Sequence, residues 1–282
     1  SDAEGSQVRA ELPDSAELRR LLISGLALAP AGANVIMQLS RLPIGHAIVE
    51  SKVDSGSLRR HPIKRTRTTL AYIMVALFGT DHERAVMRRE VNAQHHLVRS
   101  DRDGVIAYDA HDPELQLWVA ACMFRGVIDT VTQLRGPLTE EEYRTLLSHC
   151  GRFATTLQVS GSRWPSDRAT FEAYWDAAMG DVHVDDVTRT YLRGLASLEF
   201  LPAPLARLLG PSHRFLTTGF LPSLFREQLG LTWTPAQQRR FVTIISWAAR
   251  ANRHLPTPVR ELPWNVIERD TRRRIARGRD VL

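Results

Sequence analysis

Apolar residues recur three and four apart along almost the whole of this chain, and runs that strictly alternate apolar with polar residues are scarce. That spacing gives each segment one buried helical stripe and leaves little to pair into a sheet, so it predicts an all-α protein. Gly, Pro and short polar clusters separate the periodic segments, and the connections are short enough for a compact bundle. No Pro/Gly/Ser-rich linker divides the middle. The expectation is one helical domain over 16–282, preceded by a flexible segment at 1–15. With 282 residues, 43% of them hydrophobic, there is enough apolar material for one sizeable core.

Capping signals place the helices. Pieces at 18–28 and 33–39 are parted by Pro30 and Gly32, and Pro43 opens a further turn. The stretch TRTTLAYIMVALF at 66–78 is apolar on every face and reads as a central helix that Gly79 ends as a C′ glycine. Asp81 then caps a helix running to about residue 99, with Glu83 in its first turn. Asp112-Pro113 starts the next, and Thr139 with Glu142 forms a capping box for a helix through about residue 159. Further helices are expected near 167–180, 185–197, 203–209, 213–228, 235–254 and 264–277.

The cationic residues are thirty-five arginines and only two lysines, Lys52 and Lys64, with a net charge of +6. A G+C-rich genome accounts for most of that ratio, and arginine's preference for bidentate contacts adds a buried anionic ligand as a second reason. The charges are interleaved with 31 acidic residues, which argues against nucleic acid. The densest run, Arg269 to Arg279, reads as the solvated face of a last helix. Two cysteines, Cys122 and Cys150, cannot frame a disulfide scaffold, so the cytoplasm is the expected compartment, with peripheral membrane association allowed. Residues 19–33, RRLLISGLALAPAGA, imitate a secretory signal. The acidic stretch before them and the apolar patterning beyond argue against cleavage, and Gly25, Pro30, Gly32 and Asn34 break the run too early for a membrane span.

Several chemistries are missing by inspection. There is no G-K-[ST] phosphate loop, no G-x-S-x-G elbow, no H-E-x-x-H, no C-x-x-C and no glutamate three residues before any histidine. Kinase, hydrolase, zincin and ferritin-like di-iron readings lose their support. An α-protein with scattered histidines and many arginines can still hold a b-type haem through one neutral imidazole, with arginine suited to the propionates.

Residues 59–79, RRHPIKRTRTTLAYIMVALFG, followed by VNAQHHLVRS at 91–100, resemble the MpaB and rubber-oxygenase (latex-clearing protein) family. VIMQLSRLPIGHAIVES at 35–51 looks like that family's first block. YDAHDPELQLWVAA at 108–121, RGPLTEEEYRTL at 135–146, FEAYWDAAM at 171–179, LTTGFLPSLFREQLGLTW at 216–233 and LPTPVRELPW at 255–264 follow in order. The resemblance implies a globin-like helical core carrying haem b, in proteins that include oxygenases cleaving isoprenoid double bonds. The family's proximal iron ligand, the histidine of an H-x-x-V segment, falls on His95, with His96 as the neighbour that a one-residue shift would substitute. Its R-x-x-x-T element falls on Arg65 and Thr69, where a cation and a hydroxyl on one helix face could bond a haem group, water or dioxygen. Glu50, 19 residues before Thr69, lies close to where rubber oxygenases carry a glutamate proposed as a base. Rubber-cleaving members have a lysine just before the threonine, and this chain has Thr68, which puts rubber as the substrate in doubt.

The expected function is therefore a haem b-dependent oxygenase acting with dioxygen on a small apolar, isoprenoid or lipid-like molecule, without an integral membrane segment and with its oligomeric state left open. The alternatives are a non-catalytic haem or hydrophobic-ligand binding protein and a helical interaction module with a basic surface. Packing tightly, helices 66–78 and 81–99 would lie roughly 8–10 Å apart, too close for a haem between Thr69 and His95. They are expected to cross steeply after Gly79, with the helix from Asp112 closing the gap. Trp118, Phe171, Tyr174 and Trp175 are core or pocket lining, and Arg214 and Arg226 are propionate partners or structural cations.

Overall fold

Most of the helices open either on a side-chain cap or on a proline in the first turn. The computed structural model describes residues 15–50, 60–98 and 106–282. Among these the chain is all helical, with no strand. Except for Ser15, the expected flexible N-terminal segment lies outside the described residues, as does residue 99, the expected end of the second central helix.

The N-terminal layer is α1 (Ser15–Leu22), a short 3-10 turn (Gly25–Leu28), α2 (Ala31–Leu39) and α3 (Leu42–Val49). Leu18, Leu22, Ala33, Ile36 and Met37 turn their side chains into the core. Among the described residues no single helix is long and apolar enough to cross a membrane, and the apolar stretch from Ala16 to Leu39 bends by 50° at its break.

The central pair is α4 (Pro62–Phe78) and α5 (Asp81–His95). α4 is buried from Thr68 onward, with Leu70, Ala71, Tyr72, Met74, Val75, Ala76 and Leu77 inside, as its all-round apolar sequence requires. Gly79 ends it by a different device from the expected left-handed cap: φ is −70° and ψ 153°, an extended residue. Glycine is needed there because a Cβ would stand 2.5 Å from the Val75 carbonyl oxygen. The cap of α5 is Thr80, not Asp81. The Thr80 hydroxyl accepts from the Glu83 N–H and the Glu83 carboxylate from the Thr80 N–H, which completes a capping box and leaves Asp81 to the first turn.

Asp112 caps α6 (Pro113–Arg135) and Thr139, with Glu142, boxes the start of α7 (Glu140–Leu157). These two helices pack as a hairpin closed by Gly136 at φ 93°, a value that suits glycine. α8 (Arg168–Met179) and α9 (Asp186–Ala196) follow. α10 (Ala203–Phe220) corrects the sequence reading: it is one helix through Gly210-Pro211, and the break comes at Leu221-Pro222 before α11 (Ser223–Leu229). Gly210 lies so close to the Ser197 carbonyl that a Cβ would be 2.5 Å away, and this packing holds the helix where the dipeptide alone would end it. α12 (Pro235–His254), α13 (Thr257–Arg260) and α14 (Trp264–Ala276) complete the chain.

The core sits between α4, α6 and α7. Trp118 stacks on Trp175 with centroids 5.1 Å apart, and Phe124 meets Phe171 edge-on at 4.8 Å. Trp118, Phe124 and Phe171 are wholly enclosed. The aromatic cluster is therefore packing, where truncation of one ring to alanine costs about 3–5 kcal/mol. Tyr72 bridges layers by donating to the Phe153 carbonyl at 2.7 Å.

Candidate functional site

His95 is the last residue of α5, and His96 is its C-cap. The two rings part at the helix end: His95 is half-buried while His96 is exposed. His95 Nδ1 is fully enclosed and has no hydrogen-bond partner among the described residues. An imidazole nitrogen buried without a partner is costly unless something else occupies its lone pair or proton. Burial, reinforced by the neighbouring His111 and Arg65 charges, pushes the His95 pKa down to about 4 despite the opposing pull of Asp109. The ring is neutral at pH 7, the form that ligates a metal.

Arg65 approaches from the other helix, in the first turns of α4. From Phe78 back to Arg65, and from Asp81 on to His95, the two arms rise by nearly equal amounts, roughly 20 Å each. Both residues thus stand at the ends remote from the Gly79 turn. The Arg65 side chain is exposed, and desolvation by neighbouring protein atoms lowers its pKa, with Tyr191 of α9 partly opposing.

Thr69 is one turn further along α4. Its hydroxyl donates to the Arg65 carbonyl at 2.9 Å, and the buried Thr68 hydroxyl donates to the same oxygen at 3.0 Å. This is the helix back-bonding expected of mid-helix threonine. The Thr69 proton is engaged, and its oxygen retains acceptor capacity.

A wall that the sequence reading missed comes from the segment ahead of α6. His111 stands edge-on to His95 with centroids 6.1 Å apart and lies 4.9 Å from the His96 ring. Its Nε2 donates to Asn92 Oδ1 at 2.7 Å, and its Nδ1 is 3.4 Å from Asp109 Oδ1, outside good hydrogen-bond geometry. α6 itself packs chiefly on α7 and α2, so it is the residues leading into α6 that flank His95.

Glu50, the C-cap of α3, has its described side-chain partner elsewhere. Its Oε1 is 2.7 Å from His46 Nδ1, while His46 Nε2 is 2.6 Å from Asp185 Oδ2, the N-cap of α9. His46 is 7% exposed against 40% for Glu50 and 34% for Asp185. Burial lowers the His46 pKa, but the two carboxylates outweigh it and raise the group overall. Burial likewise opposes ionisation of Asp185, yet the Thr188 N–H and the His46 imidazolium hold it down at about 2. The i,i+4 spacing of His46 and Glu50 was a readable signal for this pair. α9 links the two regions, with Asp185 at its cap and Tyr191 beside Arg65.

Arg226 donates to the Thr218 and Gly219 carbonyls at 2.8 and 3.1 Å and lies over Trp233, so it closes the end of α10. Arg214 lines an open groove between α10 and α12. Among the described residues no three His, Cys, Asp or Glu side chains converge as a bare metal ion would need.

Comparison with known proteins adds a family. The model of the ER-bound oxygenase mpaB/B′/rubber oxygenase catalytic domain matches residues 18–251. An uncharacterised protein of Mycobacterium bovis and another of Mycobacterium tuberculosis are each 42% identical to the chain over 255 residues, which is 90% of this chain and 100% of the relative. No solved structure matches it.

Proposed function

The chain belongs to the ER-bound oxygenase mpaB/B′/rubber oxygenase catalytic-domain family, and from that premise we propose that it is a haem b-dependent oxygenase, with His95 as the protein's ligand to iron. Its substrate is an apolar, isoprenoid or lipid-like molecule. The observation that carries the reading is the His95 ring, held neutral with a buried nitrogen that no described residue satisfies. One histidine is what haem iron asks of a protein, and a fixed cation nearby suits the propionates or a polarised oxygen. Bound haem would supply dioxygen binding and activation. Arg65 would orient an anionic or polar oxygen on the His95 side of α4. Thr69 would accept a hydrogen bond from a water or substrate hydroxyl, because its own proton is given to the Arg65 carbonyl. Glu50 would take a proton at Oε2, its Oε1 being fixed by His46.

A non-catalytic haem or hydrophobic-ligand binding protein is the reading that Thr69 and Glu50 favour, since both side chains already have partners within the protein. Haemin titration followed in the visible region tests the first claim. The expected result is a Soret band that His95→Ala abolishes and His96→Ala retains; no band, or one indifferent to His95→Ala, overturns the assignment. Oxygen uptake by the reconstituted protein with a panel of alkenes separates oxygenase from binder.

A further inference from the structure

Thirteen large hydrophobic side chains are exposed among the described residues, and ten of them fall between Leu205 and Val266. Single exposed apolar residues need no explanation, but such a concentration does. It centres on α10 and α12. The first two turns of α10 stand away from the body with scarcely a buried residue, and Leu208 there is 73% exposed. α12 touches the core through a thin stripe, Phe241, Ile245, Ala249 and Asn252. Its outer side carries Trp247, 65% exposed, and Ile244.

Charge is segregated on the same two helices. Neither contains an aspartate or glutamate, while together they hold Arg207, Arg214, Arg239, Arg240, Arg250 and Arg253. None of the six has an ion-pair partner among the described residues, whereas arginines elsewhere, such as Arg19, Arg125 and Arg272, are paired. Arg207, Arg214 and Arg240 line a shared open groove of about 1110 Å³, with Pro211, Phe215 and Ile244 as apolar wall and Glu199 as its single carboxylate. Arg250 lies over the Trp247 ring, 5.6 Å from its centroid.

We propose that the α10–α12 face docks on a bilayer surface rich in anionic phospholipid. Trp247, Ile244 and Leu208 enter the headgroup boundary, and the unpaired arginines meet lipid phosphates. Tryptophan and leucine beside arginine are the composition of an interfacial surface, and anionic headgroups supply the charge that this face lacks. A second copy of the chain is a poor occupant, because a twofold contact through this face would set arginine against arginine. A nucleic acid would satisfy the arginines but leave Leu208 and Ile244 in water.

The test is sedimentation of the full chain with vesicles of phosphatidylcholine alone and of phosphatidylcholine with phosphatidylglycerol. The expected result is binding to the mixed vesicles alone, weakened by salt, with a blue-shifted tryptophan emission that disappears in Trp247→Phe. Arg207→Glu and Arg240→Glu each lower the partition coefficient by about fivefold or more, and Trp247→Ser lowers it while helical circular dichroism is unchanged. Equal binding to both vesicles, no binding, or indifference to these substitutions overturns the proposal. So does self-association abolished by Trp247→Ser, or tighter binding to an RNA homopolymer than to the mixed vesicles.

Discussion

His149 lies on α7 with both ring nitrogens buried and without a well-formed hydrogen bond among the described residues, its ring 5.8 Å from Phe78. Burial pushes its pKa down to about 4, with Arg152 adding. The Leu77 carbonyl nearby works the other way, but it already accepts from Arg152 Nη1 at 3.0 Å. The folded ring therefore stays neutral while the unfolded chain takes up a proton below about pH 6.5. Stability contributed this way is intact above that pH, falls as the pH drops toward 4, and levels off below it, a swing of roughly 2–3 kcal/mol. Urea unfolding at pH 7, 5.5 and 4 is expected to show the loss in the wild type and a smaller one in His149→Leu. The difference between the two proteins cancels the opposite contribution of Asp129, whose pKa burial pushes up to about 6. Equal acid sensitivity in both would remove His149 from the account. At this scale the sequence was legible only in part. Arg65 and His95 could be named from a resemblance, but nothing in local spacing reveals a buried nitrogen without a partner. His111 was not singled out within the block at 108–121, and its place beside His95 depends on tertiary packing.

The elements were legible where caps announce them and illegible where packing overrides the local signal. Asp112 and Thr139 each accept the hydrogen bonds that their sequence position promises. Gly210-Pro211 promised a break, and the approach of α10 to Ser197 instead keeps the helix whole. The same helix depends on a second glycine. At Gly219 a Cβ would stand 2.3 Å from a ring carbon of Phe241. Phe241 cannot swing aside, because Phe220 and Trp233 contact it at centroid distances of 4.9 and 6.0 Å. Gly219→Ala is expected to destabilise the protein by about 1–3 kcal/mol through overpacking. Gly161→Ala, whose Cβ would meet only a Thr155 methyl at 3.8 Å, is expected to change stability by no more than about 0.5 kcal/mol. Thermal unfolding of the two variants checks the contrast, and similar midpoints would show that α10 and α12 can separate to admit the methyl.

At the scale of the whole molecule, the N-terminal layer is tied to the second half of the chain by polar contacts along its length, from Arg19 on Glu261 and Glu268 and Ser24 on Asn252 to His46, the tie whose charge depends on pH in the neutral range. It joins α3 to the cap of α9, 139 residues away. The Arg41 guanidinium, donating to the Ala178 carbonyl and Asp181, and the Ser40 carbonyl, accepting from the His183 N–H, add two neighbouring ties. Glu50 next to His46 could be read from i,i+4 spacing, but Asp185 could not, because only the folded chain brings it there. The folded pKa of His46 is raised, so its contribution is fully present below about pH 6.5 and is lost as the pH climbs through the raised value. Asp185 sits at about 2, so its share is present above about pH 4 and disappears only in stronger acid. The tie is therefore strongest near pH 5. With both carboxylates partly in water, it is worth about 1 kcal/mol, not the larger figure of a dry pair. His46→Gln is expected to lower stability by that amount at pH 5 and by much less at pH 9, as read from denaturant midpoints. A deficit unchanged between the two would mean that His46 acts as a neutral hydrogen-bonding link.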